Sequence, residues 1–165
     1  MAYLLDANVF IQAKNLHYGF DFCPAFWDWL DDANSRGNVF SIEKVKDELI
    51  AGNDDLANWA KFRGEEFFLS PDEHVLPAFG RVSQWAQTQN YDPAAVSTFL
   101  QIADYYLIAQ ALAYGFIVVT HEMPAQTTKK IKIPNVCIGL GIRHMSPYEM
   151  LRREGARFVL ERRIA

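Results

Sequence analysis

Two runs of the chain are apolar at every position: Ala2-Tyr3-Leu4-Leu5, which stops at Asp6, and Phe116-Ile117-Val118-Val119, which stops at Thr120. A strand with one wet face alternates apolar and polar side chains, so strands without alternation must be covered on both faces. Segments with helical signals separate these runs. Pro24 stands near the start of an aromatic helix carrying Phe26, Trp27, Trp29 and Leu30. Arg36-Gly37-Asn38 reads as a turn and Val39-Phe40 as a short strand, after which Ser41 is placed to cap a helix reaching about Ile50. Residues 54–93 read as helical with breaks. Asp92-Pro93 opens one long helix from about Ala94 to Tyr114, with Gly115 as its stop. Asn135 to Leu140 reads as a further strand, and Ser146-Pro147-Tyr148-Glu149 has the spacing of a capping box for a last helix. Strands alternating with helices, with both sheet faces covered, make an α/β fold on a parallel sheet.

Composition closes off other classes. With 165 residues, 50% of them apolar and 14% aromatic, the chain can bury a core and is not a disordered segment. Cys23 and Cys137 are too few for a disulfide framework and read as two reduced, buried thiols. The longest uncharged run, Tyr105 to His121, is divided by Gly115 and reads as a helix end, a turn and a strand rather than a bilayer span. Asp6 interrupts the apolar start, and no basic leader precedes it. The expectation is a cytoplasmic protein without a membrane segment.

Four acids stand in positions that call for an explanation. On a continuous helix from Ala94, at about 100° per residue, Asp104 falls amid the apolar face of Leu100, Ala103, Leu107 and Ala111. A carboxylate there must be paired, capped or metal-bound; the structural alternative is a buried Asp holding a neighbouring helix N-terminus. On the helix after Ser41 the apolar stripe is Ile42, Val45 and Leu49. Asp47 points away from it to water, Glu48 reaches its edge, and the helix dipole alone accounts for Glu43 in the first turn. Asp6 and Glu122 each close an apolar run, at the strand ends where parallel α/β sheets form their ligand crevice; turn capping is the alternative for both. Asn8 and Thr120 supply neutral hydrogen-bonding groups beside them. Four carboxylates from four segments, without a His or Cys cluster, form an oxygen donor set suited to Mg²⁺ or Mn²⁺ rather than zinc. Such a site can polarise a phosphodiester and lower the pKa of a bound water.

These segments resemble motifs of the PIN-domain nucleases. Leu4-Leu5-Asp6-Ala7-Asn8-Val9-Phe10 is similar to that family's opening strand motif, and Val45-Lys46-Asp47-Glu48-Leu49 to its acid followed by Leu on an early helix. Ala103-Asp104-Tyr105-Tyr106-Leu107-Ile108-Ala109-Gln110-Ala111 resembles its third-acid helix. Val118-Val119-Thr120-His121-Glu122 occupies the place of its strand-Thr-x-Asp motif, with Glu122 where Asp is commoner. The resemblance covers about residues 2–142. It implies a three-layer α/β/α sandwich on a central parallel sheet, one domain over 1–165 with a helical elaboration at about 51–93 and a C-terminal helix at about 146–162. It also implies Mg²⁺- or Mn²⁺-dependent endonucleolytic cleavage of RNA, with Asp6, Glu48, Asp104 and Glu122 as catalytic metal ligands. Many small members of that family are VapC-type toxins of toxin–antitoxin pairs, so a homodimer inhibited by an antitoxin protein is what it implies here.

The net charge of -4 argues mildly against a nucleic-acid partner, but the total is a sum of unlike parts. Residues 129–165 hold 9 Lys and Arg against 3 Asp and Glu; residues 1–128 hold 7 against 17. The loop of Lys129, Lys130 and Lys132 is able to contact an RNA backbone. His121 lies beside Glu122 but reads as a polar residue at a variable position, and His17, His74 and His144 lack ligand spacing. Phe26, Trp27 and Trp29 read as core rather than as a stacking platform. The alternative function is a catalytically silent PIN-like module acting through protein or RNA binding, motivated by Glu122 and the long middle region. A phosphatase of the haloacid-dehalogenase type would want a second Asp where Asn8 stands.

Overall fold

The computed structural model describes residues 1–162. Its strands are β1 (Tyr3–Leu5), β2 (Val39–Ile42), β3 (Phe68–Leu69), β4 (Ile117–Val119) and β5 (His144–Met145). Its α-helices are α1 (Ala7–Gln12), α2 (Pro24–Ser35), α3 (Glu43–Ala51), α4 (Asp55–Lys61), α5 (Leu76–Thr88), α6 (Pro93–Phe99), α7 (Ala103–Tyr114), α8 (Ile133–Leu140) and α9 (Pro147–Arg153). The five strands form one sheet in the order β3-β2-β1-β4-β5, all pairs parallel. Every residue of β1 and β4 is at most 1% exposed, so helices cover both faces and the molecule is a three-layer α/β/α sandwich, as the unbroken apolar runs require.

The topology positions the site. From β1 the chain adds β2 and β3 on one side, then returns to place β4 and β5 on the other. Successive connections therefore diverge between β1 and β4, and such a switch point opens a crevice at the carboxyl ends of the two strands. Leu5 pairs with Val119 in the register, so the residues that follow, Asp6 and Thr120, emerge side by side on that edge.

Several boundaries differ from the sequence expectations. Ser41 is no helix cap: it lies inside β2, its hydroxyl donates to the Leu5 carbonyl at 2.7 Å, and Ile42 precedes α3 without a side-chain cap. Pairing with β3 holds this segment extended (Ser41 opposite Phe68), and β3 itself falls within the span read as helical with breaks. The helix expected from Ala94 to Tyr114 is two helices, broken at Leu100–Ile102, where Ile102 is extended at φ −106° and ψ 166°. Asp104 thus sits in the first turn of α7 rather than mid-helix. Asn135 to Leu140 is helix α8, not a strand: Ile133, Pro134, Val136 and Cys137 are buried while Ile138 is exposed, the spacing of one helical face. The last helix opens at Ser146 as expected, with Ser146 Oγ accepting the Glu149 N–H at 3.2 Å, but it ends at Arg153. Gly155, at φ +66°, turns the chain out, and the Ala156 N–H returns to the Leu151 carbonyl. The residues from there to 162 are not helical.

Phe26 and Trp27 are core residues, and both cysteines are free, Cys137 buried and Cys23 half-buried. Among the described residues no helix is long and apolar enough to cross a membrane.

Candidate metal centre

Asp6 ends β1 and starts α1 at once. Its backbone N–H still donates to the Val119 carbonyl at 3.0 Å, while its Oδ1 caps α1 by accepting the Ala7 N–H at 2.7 Å. Its Oδ2 accepts the Thr120 hydroxyl at 2.9 Å. The Thr120 oxygen in turn accepts from Asn8 Nδ2 at 3.2 Å and from the Glu122 N–H at 3.1 Å, and Asn8 Oδ1 accepts the His121 N–H at 3.1 Å. One hydroxyl and one amide therefore stitch the ends of β1 and β4 together and fix the Asp6 carboxylate, which is 5% exposed. Thr120 and Asn8 hold the positions expected of them.

Glu48 reaches the same place from α3, Asp104 from the first turn of α7, and Glu122 from the loop after β4. With Asp6 they line one crevice of about 490 Å³, together with Asn8, Lys44 and Lys130. Asp47 and Glu48 are both exposed, and Glu48 lines the crevice. Glu122 has a second engagement, since its Oε2 accepts the Ile133 N–H at 2.8 Å at the start of α8.

The electrostatics record the crowding. Burial, then the Asp104 and Glu122 charges, push the Asp6 carboxyl up to about 8, although the Thr120 hydroxyl and the Ala7 N–H pull the other way. Burial, Glu122 and Glu48 push Asp104 up to about 6, with Lys130 opposing. The donor chemistry, four carboxylates against two lysines in one crevice, fits a hard divalent cation. Among the described residues no three His, Cys, Asp or Glu groups converge closely enough to hold an ion.

The basic residues divide. Lys130 lines the carboxylate crevice and, with Lys129, the adjoining groove along α6; Lys132 precedes α8 and lines neither. Two features escaped the sequence reading. Lys44 lines the crevice from α3, one turn before Glu48, and that i, i+4 spacing was its signal. His17, His121 and Tyr148, far apart in the chain, meet beside the site: ring centroids are 5.5 Å apart for His17–His121 and 5.6 Å for His121–Tyr148. Burial and the neighbouring His17 hold His121 below the usual imidazole range.

The family model described as Domain of unknown function (DUF4411) matches residues 3–158. Comparison with curated proteins and with solved structures finds no match.

Proposed function

We propose that this chain, which belongs to the DUF4411 family, is a divalent-metal-dependent endoribonuclease acting at the crevice between β1 and β4. The observation that carries the reading is the gathering of Asp6, Glu48, Asp104 and Glu122, from four separate parts of the chain, in one crevice at a topological switch point. A fold gains nothing by crowding carboxylates whose charges oppose one another; the arrangement makes sense when a cation offsets them. Mg²⁺ or Mn²⁺ held by these four residues would supply Lewis acidity towards a phosphodiester oxygen and a water. The chain's own groups do the rest. Thr120 and Asn8 hold the Asp6 carboxylate in one orientation, Lys130 meets phosphate oxygens at the crevice, and Lys129 extends that contact along the groove. The setting we propose is a toxin–antitoxin pair, with a partner protein covering the crevice of a homodimer. Growth arrest on expression of the wild type but not of Asp6→Asn, relieved by the partner, checks that setting.

The test of the activity is cleavage of labelled RNA with Mn²⁺ or Mg²⁺. Wild type is expected to cut, and Asp6→Asn to be slower by at least on the order of a hundredfold. Equal cleavage by both, or none by either, contradicts the proposal. Two observations favour a second reading, a catalytically silent module that binds RNA or protein: Glu122 Oε2 is engaged by the Ile133 N–H, and no three ligating groups converge among the described residues. That reading predicts no divalent-ion affinity.

A further inference from the structure

Beside the carboxylate crevice lies a second one, of about 390 Å³, sharing Glu122 with it. Its wall carries His121, Met123, His144, Tyr148 and Glu149, at the carboxyl ends of β4 and β5. The proposed cleavage chemistry uses none of these.

The wall is built rather than incidental. Two of its rings, His121 after β4 and Tyr148 on α9, both meet a third that does not line it, His17 at the end of the π-helical turn Ala13–His17. The Tyr148 hydroxyl and His17 Nε2 are hydrogen-bonded at 2.9 Å, and the two rings meet edge-on at 5.5 Å. The His121 backbone is pinned by Asn8, the same residue that steadies Thr120. A π-helical turn is an uncommon insertion that tends to mark functional positions, and this one delivers His17 to the cluster. All three rings are half-buried and lie outside the apolar core, so core packing does not account for them. Met123, at the rim, is 75% exposed.

We infer that this crevice receives an unpaired nucleobase of single-stranded RNA, on the nucleotide adjoining the phosphate at the carboxylate crevice. The choice of RNA rests on the nuclease reading. His121 and Tyr148, half-buried rings that line the crevice, offer a stacking surface, and every base has a π-face to place on it. Glu149 and Ser146 supply hydrogen-bonding groups at the same wall for a base edge. A base in a duplex is already stacked and paired, so the crevice selects single strands. The groove of Lys129 and Lys130 also joins the carboxylate crevice, through Lys130, as this one joins it through Glu122. The carboxylate crevice thus adjoins both a ring-walled pocket and a lysine-rimmed groove, so one strand of RNA can reach all three.

The test is fluorescence anisotropy with a labelled single-stranded RNA oligomer in Ca²⁺, with cleavage in Mn²⁺ read on the same proteins. Tyr148→Ala is expected to weaken binding about tenfold, His121→Ala to weaken it in the same direction, and Tyr148→Phe, which keeps the ring, to bind close to wild type. An oligomer with abasic positions should bind wild type as weakly as the intact oligomer binds Tyr148→Ala, a comparison that needs no variant to fold. Duplex of the same sequence should bind less well than the single strand. Wild-type affinity in folded Tyr148→Ala and His121→Ala, indifference to base removal, or equal binding of duplex overturns the inference. The outcomes separate the two proposals: Tyr148-dependent binding without cleavage keeps this one and removes the nuclease, and cleavage with a KM unchanged in Tyr148→Ala does the reverse. No RNA binding at all removes both.

Discussion

Asp6 serves three masters: its backbone belongs to the sheet, its Oδ1 caps α1, and its Oδ2 faces Thr120 in the crevice. The cost is visible in its ionisation. The carboxyl is pushed from its ordinary 3.8 to about 8 in the folded protein. Between those values the folded chain retains a proton that the unfolded chain has lost, so the stability from this group is fully present below pH about 4 and lost as the pH rises to about 8. An amide cannot ionise, so Asp6→Asn should melt higher than wild type at pH 8, on the order of 5 °C, with the gap closing towards pH 4. Melting curves across that range check it; a constant gap, or one that opens at low pH, counts against it. Thr120 is the complementary case. Thr120→Val strands the Asn8 amide and the Glu122 N–H and withdraws a donor from Asp6, so urea denaturation should show a loss of about 1–3 kcal/mol. The four acids were legible in the sequence because each offends a local pattern, a strand end or the edge of an apolar stripe. The mid-helix face inferred for Asp104 does not exist, since Leu100 lies in the break between α6 and α7. The ring cluster of His17, His121 and Tyr148 had no local pattern to offend; only the fold brings it together.

Among the elements, the unbroken apolar runs of β1 and β4 and the capped start of α9 are readable in the sequence, and the two-residue strands and α8 are not. β3 and β5 are two residues each, below the length at which alternation means anything, and they exist because neighbours supply the ladder. The break between α6 and α7 contains neither Gly nor Pro, so no residue announces it, yet it is what brings Gln101, Ile102 and Ala103 to the crevice along with Asp104. α8 reads as a strand in the sequence because the short apolar run from Val136 to Leu140 satisfies either period. Its packing supplies a prediction opposite to helix propensity. Gly139 lies on α8 against Trp85 of α5, and a Cβ there would fall 2.3 Å from the indole nitrogen. Gly→Ala in a helix ordinarily stabilises by about 1 kcal/mol, but here the rigid ring must move. Gly139→Ala should therefore destabilise by about 1–2 kcal/mol, read by chemical denaturation; a gain in stability would show that the ring yields freely.

For the whole molecule, the parallel sheet and its switch point decide where chemistry can happen, and the charge distribution decides what can come there. The acid-rich body surrounds the crevice, and Lys129 and Lys130 line its adjoining groove. RNA affinity should fall with salt, and replacing both lysines by alanine should flatten the log–log dependence by about 1.4 units in slope; an unchanged slope places the phosphate contacts elsewhere. The central claim, that four carboxylates from four segments hold a divalent cation, is tested most directly by titrating Mn²⁺ into the protein in a calorimeter. A saturable site in wild type that disappears in Asp104→Asn is the predicted result. No saturable binding in wild type, or the same isotherm from the variant, contradicts the account.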